Sequence, residues 1–324
     1  MSQITIYTVA KHFESILPIL AAVMEAPLFT ASELELYSNN SKQRLMVDLS
    51  KNDVIAYRTL TEQIFGSNHP YGYNSNDQAF DDLVQKDLQD HFKKCYQSGN
   101  GFVLLSGKVG DREIKLLDGY LSNVIPKGKR LEAKIQAEAT PPQSIRIEKK
   151  NSVQTAIRMG KKLFNRQHED YPAMYMVNMA LGGYFGSRLM SNIREKQGYT
   201  YNIYSSLDPM LFDGSFIIST EVGNDFVDNT RKEIHAEIDT LIGEKMPAAE
   251  LEMLRNYTMG YLLTLLDGTF NQSDWIKMIK SHDIEYEYFN RLVDTVKFID
   301  AEGIRSMAEK YLQPDEFSEV VVGP

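Results

Sequence analysis

The chain has 324 residues, enough for roughly two domains at about 150 residues each. With 43% apolar, 24% charged and 10% aromatic residues, it has the composition of a folded globular protein rather than a disordered or collagenous one. The balance of 35 basic against 44 acidic residues leaves a net charge of −9. That sign repels phosphate backbones, and no face dense in Lys and Arg is legible, so nucleic acid is not expected as a partner.

No run approaches the roughly 18 to 20 apolar residues that a membrane-spanning helix needs. The expectation is a soluble protein, cytoplasmic or periplasmic. The single cysteine, Cys95, supports neither an internal disulfide nor a cysteine-based metal site and reads as a packing residue.

In chain order, residues 4–10 (ITIYTVA) predict a strand. Phe13, Ile16, Leu17, Leu20, Val23 and Met24 then recur at helical spacing around Pro18, the stripe of a core helix and not the apolar run of a signal peptide. Ser32, followed three residues later by Glu35, has the form of a capping box and opens a helix toward Leu49. A second helical segment runs from Asp53 to near Gly66, and Asn68, His69, Pro70, Tyr71 and Gly72 make a turn by composition. Residues 87–96 have helical periodicity, and residues 102–105 read as an apolar strand closing at Gly107.

The stretch 126–143, rich in Lys, Ala and Glu with Pro141 and Pro142 paired, reads as a linker. Beyond it, residues 153–159 are strand-like and 171–181 helical, and Gly182, Gly183 and Gly186 punctuate the entry to another helix. Residues 199–206 and 215–222 are β-rich, and the remainder is helical until a final strand at 317–322.

The two sides of the linker repeat each other. ITIYTVA parallels FIISTEV, each before a helix, with Ile4 against Phe216 at an offset of 212. ASELE parallels AAELE, with Glu33 against Glu250 at 217, while Tyr96 matches Tyr311 at 215 and Gly107 matches Gly323 at 216. The second copy begins near Ser144, about seventy residues ahead of its FIISTEV strand, whereas the first begins at the equivalent strand. The expected organisation is a partial first domain (1–125), a linker (126–143) and a complete second domain (144–324). Either the chain is a piece of a longer one or the missing strands come from elsewhere, because an unpaired sheet edge is an aggregation liability.

Local spacing offers little chemistry. His12, His69, His91, His168, His235 and His282 contain no pair at i, i+4, so no zinc site is proposed from spacing. There is no Gly-x-Ser-x-Gly elbow, and the glycines at 182, 183 and 186 lack the Gly-Lys-Ser/Thr of a phosphate loop.

The segment LGGYFGSRLMSNIREKQGYTY (181–201) carries the most information. It resembles the second-domain signature of the M16 metallopeptidases, the insulinase, pitrilysin and mitochondrial processing peptidase family. FGSNHPYG (65–72) and DLQDHFKKCYQSGNGFVLLSG (87–107) resemble the corresponding stretches of M16 first domains. The resemblance implies an α+β fold of two tandem repeats, each an α/β sandwich with a mostly antiparallel sheet, the first repeat truncated at its front. It implies peptide cleavage by a zinc ion held in a His-x-x-Glu-His motif plus a distant Glu, with the intervening Glu activating water.

That motif is not found in residues 1–324, and its place would be ahead of the ITIYTVA strand. Asp48 falls about where the distant ligand would be, with a solvated helix carboxylate as the plain alternative. The resemblance also assigns Arg194 and Tyr201, seven residues apart, to holding the substrate backbone and polarising its carbonyl, a task suited to a fixed cation and a phenol. The alternatives are an Arg194 paired with a neighbouring Glu and a Tyr201 that is a strand aromatic; Arg188 and Tyr199 are nearby competitors.

The implied function is that of a non-catalytic M16-like unit, with no cofactor of its own. It would pair with a zinc-bearing half or subunit, or with a second copy of itself, to enclose a peptide substrate. A fragment of an active peptidase and a purely structural or assembly subunit of the same fold are the other readings.

Overall fold

The computed structural model describes residues 2–132, 135 and 140–324. Helices α1 (Phe13–Glu25), α2 (Ala31–Leu49), α3 (Asn52–Phe65), α4 (Asp77–Asp81), α5 (Gln85–Cys95) and α6 (Asp111–Leu121) come first. Strands β1 (Ser144–Glu148) and β2 (Gln154–Leu163), helix α7 (Tyr171–Asn178), and strands β3 (Ile203–Pro209) and β4 (Gly214–Gly223) follow. Helices α8 (Val227–Gly243), α9 (Ala248–Thr264), α10 (Gly268–His282), α11 (Tyr288–Phe298) and α12 (Ala301–Tyr311) precede the last strand, β5 (Ser318–Gly323).

By contacts the described residues form two compact units that interleave along the chain. One comprises residues 2–45, 75–132 and 268–274; the other comprises 46–74, 135, 140–267 and 275–324. These units do not follow a division into 1–125 and 144–324, because α3 groups with the strands. Part of the stretch read as a linker, residues 133–134 and 136–139, lies outside the described residues.

The larger unit is built on a five-stranded sheet of order β1-β5-β2-β4-β3. β2 pairs antiparallel with both β4 and β5, β3 pairs antiparallel with β4, and β1 pairs parallel with β5. The fold is therefore α+β with a mostly antiparallel sheet.

Alternation along the strands sends side chains to two apolar layers. Ile157, Met159, Phe216, Ile218, Val222 and Val321 join the main core with α7, α8, α11 and α12. On the opposite face Ala156, Ile217, Val320 and Val322 meet Ala56, Leu60, Ile64 and Phe65 of α3. Covered on both faces, β4 and β5 each carry a short apolar run, FII at 216–218 and VVV at 320–322, rather than strict alternation.

Helix α3 has the limits that Asp53 and Gly66 suggest. Helix α2 starts one residue before the expected Ser32 cap, because the hydroxyl of Thr30 accepts the N–H of Glu33 at 3.3 Å. Strand β1 was hidden at the boundary of the lysine- and proline-rich stretch, where SIRIE is short and shows only partial burial.

In the smaller unit α1 packs on α6, burying Leu17, Ala21 and Leu121. Its surface carries an Arg112–Glu14 pair at 2.6 Å and a Lys42–Asp81 pair at 2.5 Å. The strands expected at 4–10 and 102–105 do not form: among the described residues this unit contains no strand. Their β-branched and aromatic composition is real, but propensity makes a strand only where a neighbouring ladder accepts it.

Candidate substrate-contact site

The 181–201 segment folds as two π-helical turns joined by a tight loop. Helix α7 runs into the turn Met179–Gly183, in which Met179, Ala180, Leu181 and Gly182 are buried. A Cβ on Gly182 would sit 2.4 Å from the backbone nitrogen of Ser205 on β3, so glycine is what lets this turn close onto the sheet.

Tyr184 then stacks on Tyr257 of α9, with centroids 4.4 Å apart. Burial, followed by the nearby Glu250, pushes the Tyr184 hydroxyl up from its ordinary pKa. Leu189 and Ile193 anchor the second stretch in the core. That stretch contains the π-helical turn Met190–Lys196, a departure from α-geometry that often marks functional sites.

The cations and phenols of this segment have separate fates. Arg188 is tied into a forked pair with Glu250, Nε to Oε1 at 2.8 Å and Nη2 to Oε2 at 3.2 Å. Tyr199 stacks on Phe226 at 4.9 Å, and its N–H donates to the Ile193 carbonyl. Arg194 instead lies over the exposed ring of Phe185, 4.6 Å from the centroid, and among the described residues it makes no ion pair or hydrogen bond. Its N–H donors remain available while the ring steadies the guanidinium.

Gly198, at φ +69, turns the chain out of the second π-helical stretch. Thr200 is then buried, its Oγ1 2.7 Å from the Glu221 carbonyl oxygen and accepting the N–H of Asn202 at 3.2 Å. Pinning Thr200 leaves Tyr201 pointing away from the sheet, 88% exposed and without a polar or ring partner among the described residues. Tyr201 therefore precedes β3 and is not a packed strand aromatic. Arg194 and Tyr201 make no direct contact with each other among the described residues.

Sequence reasoning missed Phe185 as the platform for Arg194, since a cation–π contact between loop and turn has no sequence spacing of its own. It also missed a polar cluster on the α3 side of the sheet. There Arg158 donates to the Tyr204 hydroxyl at 3.2 Å and to Ser219, and lies 3.9 Å from Asp53. Burial raises the pKa of Asp208 and Glu221 beside it, against the opposing pull of Arg158.

The donors present do not fit zinc. Among the described residues no group of three or more His, Cys, Asp or Glu could hold a metal ion. Asp48 pairs with Lys51 at 2.8 Å. His69 is buried against Phe65 and its Nδ1 accepts the N–H of Tyr71, while His168 stacks on Phe164 and accepts the N–H of Asp170. His282 reaches two carbonyl oxygens, those of Met278 and Pro209.

The profile of the family described as the peptidase M16 inactive domain matches residues 82–258, more than half of the chain. The chain belongs to the peptidase M16 inactive-domain family. A Helicobacter pylori protein named "Non-peptidase homolog YmxG" is 26% identical over 206 residues, covering 62% of this chain and 47% of that one. A Bacillus subtilis protein named "Uncharacterized zinc protease YmxG" is 23% identical over 261 residues, covering 80% and 63%.

The chain thus spans about half to two-thirds of the length of these M16-family relatives. Among solved structures, an M16 inactive domain from Pseudomonas fluorescens superposes with a TM-score of 0.86 at 24% identity, covering 96% of this chain and 75% of that one. At that identity the likeness speaks for the fold.

Proposed function

We propose that this chain is the non-catalytic member of an M16-type peptidase assembly, closing against a zinc-bearing half or subunit. In this reading Arg194 and Tyr201 contribute the substrate contacts. The observation that supports it is the division of labour within residues 188–201. Arg188 and Tyr199 are consumed by Glu250 and Phe226, whereas Arg194 and Tyr201 are held on a π-helical turn and a hydrogen-bonded loop with their polar groups unspent.

A guanidinium steadied over a ring presents fixed N–H donors to a peptide carbonyl. A phenol beside such a carbonyl adds a donor for charge that develops on oxygen as the carbon is attacked. The zinc and the water-activating carboxylate belong, in this reading, to the partner.

The test is reconstitution of the full chain with a zinc-bearing M16 chain and a fluorogenic peptide. Removing one donor aimed at a developing oxyanion costs on the order of 100-fold in kcat. Arg194→Ala should therefore lower kcat by about that factor, with a smaller change in KM. Turnover by the Arg194→Ala assembly equal to that of the parent assembly refutes the assignment.

A further inference from the structure

Within the smaller unit, the single 3-10 turn Ser98–Asn100 holds residues 126–131 against the end of α5. Ser98 donates its N–H to the Pro126 carbonyl at 2.9 Å, and a Cβ on Gly99 would collide with the Gly128 carbonyl, so the two backbones lie in direct contact. The Asn100 side chain closes this clasp from both ends. Its Nδ2 donates to the Cys95 carbonyl at 2.8 Å, and its Oδ1 accepts the N–H of Leu131 at 2.9 Å.

Asn100 is followed by Gly101, and theirs is the only Asn-Gly pair in the chain. Gly101 is exposed, and nothing lies within 4 Å of the point where a Cβ would stand. Among the described residues its N–H donates no hydrogen bond, so its nitrogen is free to move. The amide that this nitrogen would meet is already polarised. The Leu131 N–H points at Oδ1, where negative charge develops when the amide carbon is attacked.

We infer that Asn100 is a site of self-modification, at which the chain slowly converts its own asparagine to aspartate or isoaspartate. The Gly101 nitrogen attacks Cγ of Asn100 and gives its proton to a solvent base. The Cγ–Nδ2 bond breaks, Nδ2 departs as ammonia, and a five-membered succinimide remains. Water is the only co-reactant, and it opens that ring. Opening at Cγ leaves aspartate; opening at the main-chain carbonyl carbon leaves isoaspartate, whose backbone runs through the former side chain. One amide becomes one carboxylate, and nothing is oxidised or reduced.

Either product loses the Nδ2 donor, so the Cys95 carbonyl loses its partner and a carboxylate oxygen takes the donor's place. Isoaspartate also lengthens the main chain beside Ser98 and Gly99, where the contact with residues 126–128 is closest. The modification therefore loosens the hold on residues 126–131. This inference does not depend on Arg194 or Tyr201.

The test is incubation of the full chain at mildly alkaline pH, followed by peptide mapping, with a free peptide of residues 96–106 as a clock. The fragment containing Asn100 should gain about 1 Da as ammonia is released, and isoaspartate should be found in it by enzymatic methylation. Gly101→Ala, at a position with room for a Cβ, should slow conversion by at least about tenfold and leave the circular dichroism unchanged. In the converted chain the Leu131 amide should exchange at least about tenfold faster than in the unconverted chain, with β2, β4 and β5 unaffected. Three results would each overturn the inference: an Asn100 still intact in the full chain once the free peptide has converted, Gly101→Ala converting at the parent rate, or Leu131 exchange unchanged by conversion.

Discussion

Truncating Leu60 to alanine tests whether α3 belongs energetically with the sheet of the larger unit. Leu60 is fully buried in the cluster formed with Ala156, Ile217, Val320 and Val322. It sits over Gly160 of β2, so closely that a Cβ built there would be 3.1 Å from Leu60 Cδ2. Because β2 has no side chain at that point, nothing on the strand can swing into the space left behind.

The loss of three carbons is worth about 2.4 kcal/mol at roughly 0.8 kcal/mol each. A cavity that cannot collapse adds to that, so we expect a destabilisation of about 3–4 kcal/mol, within the roughly 2–5 kcal/mol seen for leucine truncations. The assay is urea denaturation followed by fluorescence of Trp275, the only tryptophan, which lies in the larger unit against Tyr288 and Phe289. Leu263→Ala, at a position 62% exposed, should move the same transition by less than about 0.5 kcal/mol. A Leu60→Ala shift below about 1 kcal/mol would refute the reasoning, since α3 would then be contributing little to the unit that Trp275 reports.

Two other expectations can be checked with the same protein. Gly182→Ala should lower the Trp275 midpoint by an amount equivalent to about 1–3 kcal/mol, the usual penalty for overpacking, because the added methyl meets backbone on β3 and not a movable side chain. Asp208→Asn should change the pH dependence of stability. Burial holds the Asp208 carboxyl above its usual 3.8, so the parent loses stability as pH rises from about that value through the raised one. The asparagine variant escapes that loss. Denaturation at pH 4 and pH 7 should therefore show the variant gaining on the parent at the higher pH, and a gain at the lower pH would contradict the assignment.

The helices were legible because their signals are local. Asp53 and Gly66 bracket α3, and Phe13 through Met24 place α1. Strands β2, β4 and β5 were legible because short β-rich segments there, built on Ile, Val, Thr and Phe, lie between turn residues. What could not be read is pairing. ITIYTVA and FIISTEV are alike as strings, yet the second has β2 and β3 on its flanks and the first has neither, so one is a strand and the other is not.

For the proposed site, the family resemblance pointed to Arg194 and Tyr201, but only side-chain geometry distinguishes their surroundings from those of Arg188 and Tyr199, whose partners Glu250 and Phe226 lie 62 and 27 residues away. Such partners are set by packing between distant elements, which local sequence does not encode.

The placement of β5 has a consequence for synthesis. Residues 318–323 lie inside the sheet, bridging β1 to β2, and they also form part of the surface on which α3 rests. On the ribosome, Leu60 and Phe65 must wait for more than 250 further residues before their seat is complete, although its β2 part, Ala156 and Gly160, emerges about 100 residues after them. During that interval a greasy helical face is open to its surroundings. Completion of this sheet must therefore follow synthesis of the last strand, the kind of long-range closure that leaves apolar surface open until late.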